Sequence, residues 1–428
     1  MNNYFFFLPF HLFLIIECQI VFDFKKEITS FNKETFSEYI LNNKYISSLS
    51  IGTPKKEIPF YINFTDHYFY ITHKDINGEY NNQDSSSYIN LNKTNSYSFE
   101  NIERCHLSKE NFYFTNYTNK KYSVEKTGFL LVTNVKKKKE KELSRIGLTQ
   151  LFFLELYEYN FINQLRKNKN INSYDFYFNY EDELKGKLYI GVKPHDSENK
   201  KFSDEDYKIL KIMLDDMSFT WILNFDSINF DDIQIDRLKV KFDANFLGIF
   251  PPENLKDLIK EKYFDEFINK KICSLEKNDG YDFSFFVCDK SFDIKKIKPI
   301  NFINKEHNFT FSLTYKDLFI EKDGKYYCLI LYEKKTSIKR STWYIGEIFL
   351  KKYILVFNEE KKTIGFYVKY KSNNFFVSVP WFLVFILLII VFILGFILYK
   401  YVHNKRKIRV NELEEIYEYV SKDNYQAI

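Results

Sequence analysis

The sequence predicts an all-β ectodomain built as two barrel-like lobes with few short helices, followed by one C-terminal transmembrane helix. Three observations point there. Aromatic and β-branched residues alternate with polar ones in short runs such as Glu57-Ile58-Pro59-Phe60-Tyr61-Ile62, Tyr68-Phe69-Tyr70-Ile71 and Trp221-Ile222-Leu223-Asn224-Phe225, the period of half-buried strands. Clusters of Asn, Asp, Gly and Ser break these runs, and only residues 161–167 and 253–267 read as helices, the second opening just after Pro251-Pro252. The 428 residues, 45% hydrophobic and 20% aromatic, supply core for two lobes and exclude a disordered chain. Many strands with few helices fit two barrels better than an α/β sheet.

Residues 4–16 form a short apolar stretch without a preceding Lys or Arg, and Glu17-Cys18-Gln19 follows as a cleavage zone, so 1–19 reads as a signal peptide. Residues 20–44 form a short segment ahead of the first lobe, which spans 45–200. Within that lobe the Asn/Ser-rich stretch 74–96 is expected to be a surface loop. Asp196-Ser197-Glu198-Asn199-Lys200-Lys201 breaks the aromatic strands and marks a boundary near 196–217, with the second lobe covering 201–370. Residues 371–374 then lead to an uncharged run from Phe375 to Leu398. At 1.5 Å per residue a helix of this length spans roughly 36 Å, enough for a hydrocarbon core of about 30 Å. Trp381 near one end and Tyr399 and Tyr401 near the other fit an interfacial belt, which makes 375–399 a transmembrane helix. Lys400, Lys405, Arg406, Lys407 and Arg409 follow and place the tail, 400–428, in the cytosol. The expected product is a single-pass type I membrane protein with a luminal or extracellular ectodomain.

A net charge of +5 is mild for this length. Lys136-Lys137-Lys138-Lys139 is followed by Glu140 and Glu142 and reads as a solvated loop, not a nucleic-acid patch. Four cysteines remain after signal removal: Cys105, Cys273, Cys288 and Cys328. They allow three connectivities, and an oxidising lumen favours disulfides. No spacing resembles a metal site, and no cofactor motif is present, so neither is expected. Sequons begin at Asn92, Asn116 and Asn308, the expected glycosylation sites, and at Asn63. In the tail, Tyr417-Glu418-Tyr419-Val420 fits a tyrosine-based sorting signal or a short amphipathic helix.

Several ordered motifs carry a family resemblance. They are Tyr45-Ile46-Ser47-Ser48-Leu49-Ser50-Ile51-Gly52-Thr53-Pro54, Ser85-Ser86-Ser87-Tyr88, Ser144-Arg145-Ile146-Gly147-Leu148, the Gly186–Gly191 strand, and Trp343-Tyr344-Ile345-Gly346-Glu347-Ile348-Phe349-Leu350-Lys351-Lys352-Tyr353 running on to Ile364-Gly365-Phe366. Over roughly 45–370 the chain resembles the pepsin-like aspartic peptidases, with a membrane anchor placed as in β-secretase. The resemblance implies a bilobal double β-barrel, an interlobe cleft suited to an extended peptide or protein ligand, and a C-lobe disulfide between Cys288 and Cys328. It also implies two Asp-Thr-Gly motifs, whose carboxyls share one proton so that one acts as base and the other as acid. Here the first motif falls on Asn63-Phe64-Thr65 and the second on Asp243-Ala244-Asn245, while the flap tyrosine falls on Phe99. An amide cannot accept the proton of a bound water, and loss of a positioned general base costs roughly 10²–10⁴-fold. The expectation is therefore an inactive member, with Asp243 a remnant acid that hydrogen-bonds its own loop. The alternatives are an active peptidase with an atypical dyad built on Asp243, Asp66 or His67 standing in as base, and a cell-surface structural or adhesion module. Cys105 and Cys273 are left as a second bridge or as two thiols.

Overall fold

A computed structural model describes residues 19–28, 30–32, 35–41, 43–95, 102–116, 120–137, 144–149, 159–197, 201–213, 221–277, 283–333 and 342–369, with residues 393–396, 398–401 and 405 near the C-terminus. The chain divides into two compact units, 1–370 and 371–428. In the second unit the described residues are helical. Among the described residues no helix is long and apolar enough to cross a membrane. Most of the expected span 375–399, the expected signal peptide apart from Gln19, and the sorting motif lie outside the described residues.

The first unit is mostly β, with few and short helices. Its halves repeat one motif. In the N-terminal half the strand Lys56–Asn63 runs parallel to Ser144–Gly147, with Asn63 opposite Gly147, and the returning strand Phe69–Thr72 pairs antiparallel on the other side. In the C-terminal half the strand Ile233–Phe242 runs parallel to Thr342–Ile345, with Phe242 opposite Ile345, and Ile249–Phe250 pairs antiparallel. Each motif lets a loop leave one strand and cross over the next before rejoining the sheet. A glycine sits under each crossing. A Cβ on Gly147 would lie 2.4 Å from the Asp66 carbonyl oxygen, and one on Gly346 would lie 2.3 Å from that of Phe246, closer than real side chains allow.

Six strands join the halves. In order they are Tyr207–Lys211, Thr363–Tyr367, Val356–Asn358, Asp175–Tyr180, Lys185–Ile190 and Ile20–Lys26. The seam pairs Val356 with Tyr177, Phe357 with Phe176 and Asn358 with Asp175. It is sealed by rings: Phe357 lies 5.1 Å from Phe64, 5.2 Å from Phe176 and 5.0 Å from Trp221, all fully buried. Such pairs each contribute about 0.5–1.5 kcal/mol beyond their buried area. The segment ahead of the first lobe joins this layer, since its strand Ile20–Lys26 pairs with Lys185–Ile190 and, on the other side, with Tyr45–Ile51.

That strand also carries a buried charge cluster. Lys26, 3% exposed, and Lys351 each approach the carboxylate of Glu347, 0% exposed, at 2.7 Å. Burial opposes ionisation of Glu347, yet Lys351 and Lys26 outweigh it and hold the carboxyl below its usual range. Burial brings Lys26 down to about 8 despite the Glu347 charge. Asn43 donates from Nδ2 to the same carboxylate, to the Tyr45 hydroxyl (2.9 Å) and to the Ala244 carbonyl (2.9 Å).

Three local expectations change. The helix expected over 253–267 is two helices, Glu253–Tyr263 and Asp265–Asn269, because Phe264 leaves helical geometry to stack on Phe286 at 3.9 Å. The 74–96 stretch holds two short 3₁₀ turns and the strand Ile89–Asn95, which pairs with Ile102–Thr115. The disulfide joins Cys273 to Cys288, not Cys288 to Cys328. The reason is register: Cys273 stands directly opposite Cys288, whereas Tyr326 faces Cys288 from the next strand and Cys328 lies two residues farther along. The Cys105–Cys273 alternative is excluded by the same bond. Cys328 is a fully buried thiol that burial pushes up to about 12, and burial pushes Cys105 up to about 11.

Two outcomes follow. Glu347→Gln leaves Lys26 buried beside an amide and should cost about 3 kcal/mol at pH 7. The deficit should shrink between pH 7 and 9, because folded wild-type Lys26 loses its proton near pH 8, and with it the stabilisation that Glu347 gives, while the unfolded chain holds the proton to 10.5. Denaturant melts across that range read both effects, and a pH-independent deficit would contradict the charge cluster. Non-reducing peptide mapping should show Cys273 linked to Cys288, with Cys328 alkylated only after unfolding.

Candidate functional site

The parallel strand pairs bring two loops together from opposite halves. Asn63 ends the strand Lys56–Asn63, and Asp243 follows directly on Ile233–Phe242. The loop after Asn63 is held from below: Leu148 N–H donates to the Asn63 carbonyl (2.9 Å), Gly147 N–H to that of Tyr68 (3.0 Å) and Thr149 N–H to that of Asp66 (2.9 Å), while the Thr149 hydroxyl donates to the Phe64 carbonyl. The loop after Asp243 is held in the same way. Asp243 N–H donates to Ile345 (3.0 Å), Gly346 N–H to Gly248 (2.8 Å) and Glu347 N–H to Phe246 (2.8 Å). Asn43 N–H reaches the Asn245 carbonyl at 3.1 Å, and Leu247 N–H reaches that of Ile40 at 2.9 Å. The segment once expected to precede the lobe thus supports the second loop from behind.

The two loops are joined by Asn245. Its Nδ2 donates to Asn63 Oδ1 (2.8 Å) and to Thr65 Oγ1 (3.2 Å), and its Oδ1 accepts from Phe64 N–H (3.2 Å). Asn63 Oδ1 also accepts from Thr65 N–H (2.9 Å), the Thr65 hydroxyl (3.0 Å) and Asp66 N–H (3.1 Å). Four donors converge on one amide oxygen, which fixes the side chain with its carbonyl toward the loops. Asn63 has no proton to give up and no lone pair on nitrogen to accept one. It cannot serve as a base.

Asp243 Oδ1 accepts from Asn245 N–H at 2.9 Å. Burial pushes its carboxyl up to about 6, against the opposing pull of that N–H and of the Lys241 charge. Asn245 therefore touches both positions, its side chain on Asn63 and its backbone on Asp243. Where the resemblance implies that two threonine hydroxyls brace the loops, Phe64 and Ala244 are buried apolar residues, and the brace is the Asn245 amide. The Asp66 carboxylate, the alternative base, faces the Arg145 guanidinium at 3.5 Å. The carbonyl of His67 accepts from Asn160 Nδ2 at 3.0 Å. Phe99 lies outside the described residues. Among the described residues no group of three or more His, Cys, Asp or Glu could hold a metal ion.

Phe64 and Asn245 are legible only as motif positions, and Asn43 only as part of the short segment ahead of the first lobe. Of the sequon residues, Asn92 and Asn308 are exposed and Asn116 is half-buried, with its Oδ1 accepting from Lys120 N–H at 2.8 Å.

The Asp243 environment has a testable sign. A carboxyl whose folded pKa is raised loses stability as pH rises through that value, here from 3.8 toward about 6. Ionised Asp243 should therefore cost on the order of 2 kcal/mol at pH 7. Asp243→Asn keeps the oxygen that accepts from Asn245 and should raise the thermal midpoint at pH 7 while changing it little at pH 4. An equal shift at both pH values would contradict a carboxyl raised by desolvation.

A family model for eukaryotic aspartyl protease matches residues 44–368. No curated protein matches the chain in sequence. Among solved structures the chain resembles basic 7S globulin from soybean, with a TM-score of 0.60 and 10% identity over 82% of this chain and 95% of that one. It also resembles conglutin gamma, a basic 7S globulin from lupine seeds, with a TM-score of 0.60 and 11% identity over the same shares. Identities this low speak for the fold alone. The family match spans three quarters of the sequence and both loop motifs, and the chain belongs to the eukaryotic aspartyl protease family.

Proposed function

We propose that the chain is a catalytically inactive aspartyl-protease fold, carried on the luminal or extracellular side of a membrane by the apolar segment 375–399, whose cleft holds an extended peptide or protein segment without cutting it. The observation that carries this reading is the state of Asn63. Family chemistry needs two carboxyls that share a proton, one to take a proton from water and one to give a proton to the carbonyl. This chain offers one carboxyl and one amide, and the amide oxygen is already filled by four donors. Capture of an extended peptide draws on main-chain groups along a cleft as well as on the paired acids, so binding does not require the second carboxyl. Membrane placement, the glycan sites and the absence of a cofactor rest on the sequence patterns above.

A competing reading keeps activity in Asp243. Its pKa of about 6 lies in the range of a general base. The third reading, a structural or adhesion module, uses outer surfaces only.

The test is digestion of a mixed peptide substrate by the purified full chain in detergent between pH 3 and 6, with and without pepstatin. Turnover should not exceed that of Asp243→Ala at any pH. Pepstatin-sensitive cleavage that vanishes in Asp243→Ala would establish the competing reading. Immobilised wild-type and Asn245→Ala chains presented with the same peptides then separate cleft binding, which the substitution should weaken, from outer-surface contacts, which it should not.

A further inference from the structure

The sequon at Asn308 combines exposure, a fixed turn and an exposed acceptor threonine. Asn308 is the last residue of the loop joining the strands Ile300–Asn304 and Phe309–Leu313. Asn308 and Thr310 are both exposed. The backbone at Asn308 is left-handed, φ 47°, a conformation asparagine tolerates. The turn is held by contacts that do not involve the Asn308 side chain: Asn308 N–H donates to the Lys305 carbonyl (3.2 Å), His307 N–H to Asn304 Oδ1 (2.9 Å) and Lys305 N–H to Asp226 Oδ2 (2.7 Å). The amide is thus presented outward on a turn that does not depend on it. Asn63 is the opposite case, half-buried with its amide oxygen engaged by both loops.

The location has a physical consequence. The strand Phe309–Leu313 is the outer strand of the six-stranded sheet, and Tyr207–Lys211 is the outer strand of the larger one. His307 Nε2 lies 2.9 Å from the Ile209 carbonyl, so the two outer strands meet beside this turn, and farther along Ser312 is capped by the Tyr353 hydroxyl (2.7 Å). Ile209 is 43% exposed there, one of the few large apolar side chains left uncovered. Open edges invite strand addition and are normally blocked.

We propose that Asn308 carries an N-linked oligosaccharide that covers this meeting of sheet edges. In the transfer, Nδ2 bonds to the anomeric carbon of a sugar donated by a lipid-pyrophosphate carrier, the carbon–pyrophosphate oxygen bond breaks, and Nδ2 loses one proton. The proposal rests on the luminal placement argued above, so the experiment reads the two separately. The full chain is translated with microsomes, once with its own N-terminus and once behind a heterologous signal sequence that enforces entry. Protease protection reports placement, and endoglycosidase-sensitive mobility steps report glycans. N308Q and T310A should each lose one step, T310S should keep it, and N63Q should match wild type. A protected N308Q chain with the wild-type number of steps, or a step lost in N63Q, overturns the proposal. An unprotected native chain beside a protected, glycosylated heterologous-signal form sinks only the placement and leaves Asn308 supported.

Discussion

The reach of one side chain, the Asn245 amide, across the boundary between the halves of the fold organises what this protein can do. It donates to Asn63 and Thr65 and accepts from Phe64 N–H, so a single planar group ties the two loops together at three points. Neutral hydrogen bonds of this kind contribute about 0.5–1.5 kcal/mol each, and leaving buried partners unmet costs more. The brace needs nothing charged. It is compatible with an amide at the first motif, because Asn63 meets Asn245 through a neutral carbonyl oxygen.

Everything beneath that brace is arranged to deliver the loops to it. Parallel strand pairs in each half set the direction of Asn63 and Asp243, and Gly147 and Gly346 allow the crossings that bring the loops close. Behind the second loop, Asn43 links the Ala244 and Asn245 carbonyls to the buried Glu347, which Lys26 and Lys351 neutralise. A buried ion cluster of this type is weak evidence for stability but fixes one arrangement of its elements strongly, because breaking it strands a charge. The strand Ile20–Lys26, the helix Glu347–Lys352 and the second loop are therefore committed to each other.

The parts of this arrangement that were legible in the sequence are those written in neighbouring residues. Alternating runs mark many of the strands, and the ordered motifs locate the two stretches, Asn63-Phe64-Thr65 and Asp243-Ala244-Asn245, that lie where the paired strands end. What escaped depends on contacts between residues far apart. The Asn245–Asn63 bond joins positions 182 residues apart and leaves no local pattern. Lys26 and Asn43 lie in the short segment ahead of the first lobe, and only the three-dimensional pairing with Glu347 explains them. The disulfide was misassigned because strand register, not spacing, puts Cys273 opposite Cys288. The split at Phe264 has the same origin, a ring contact with Phe286 overriding helical periodicity.

The central claim is that Asp243 titrates alone opposite an amide, and direct observation of its carboxyl carbon by NMR across pH 3–8 tests it most closely. The account predicts a single step near pH 6 that stays close to that position in Asn63→Ala, since burial and not a charged partner sets it. A step below pH 4, or a second coupled step that disappears when Asn63 is replaced, would contradict it.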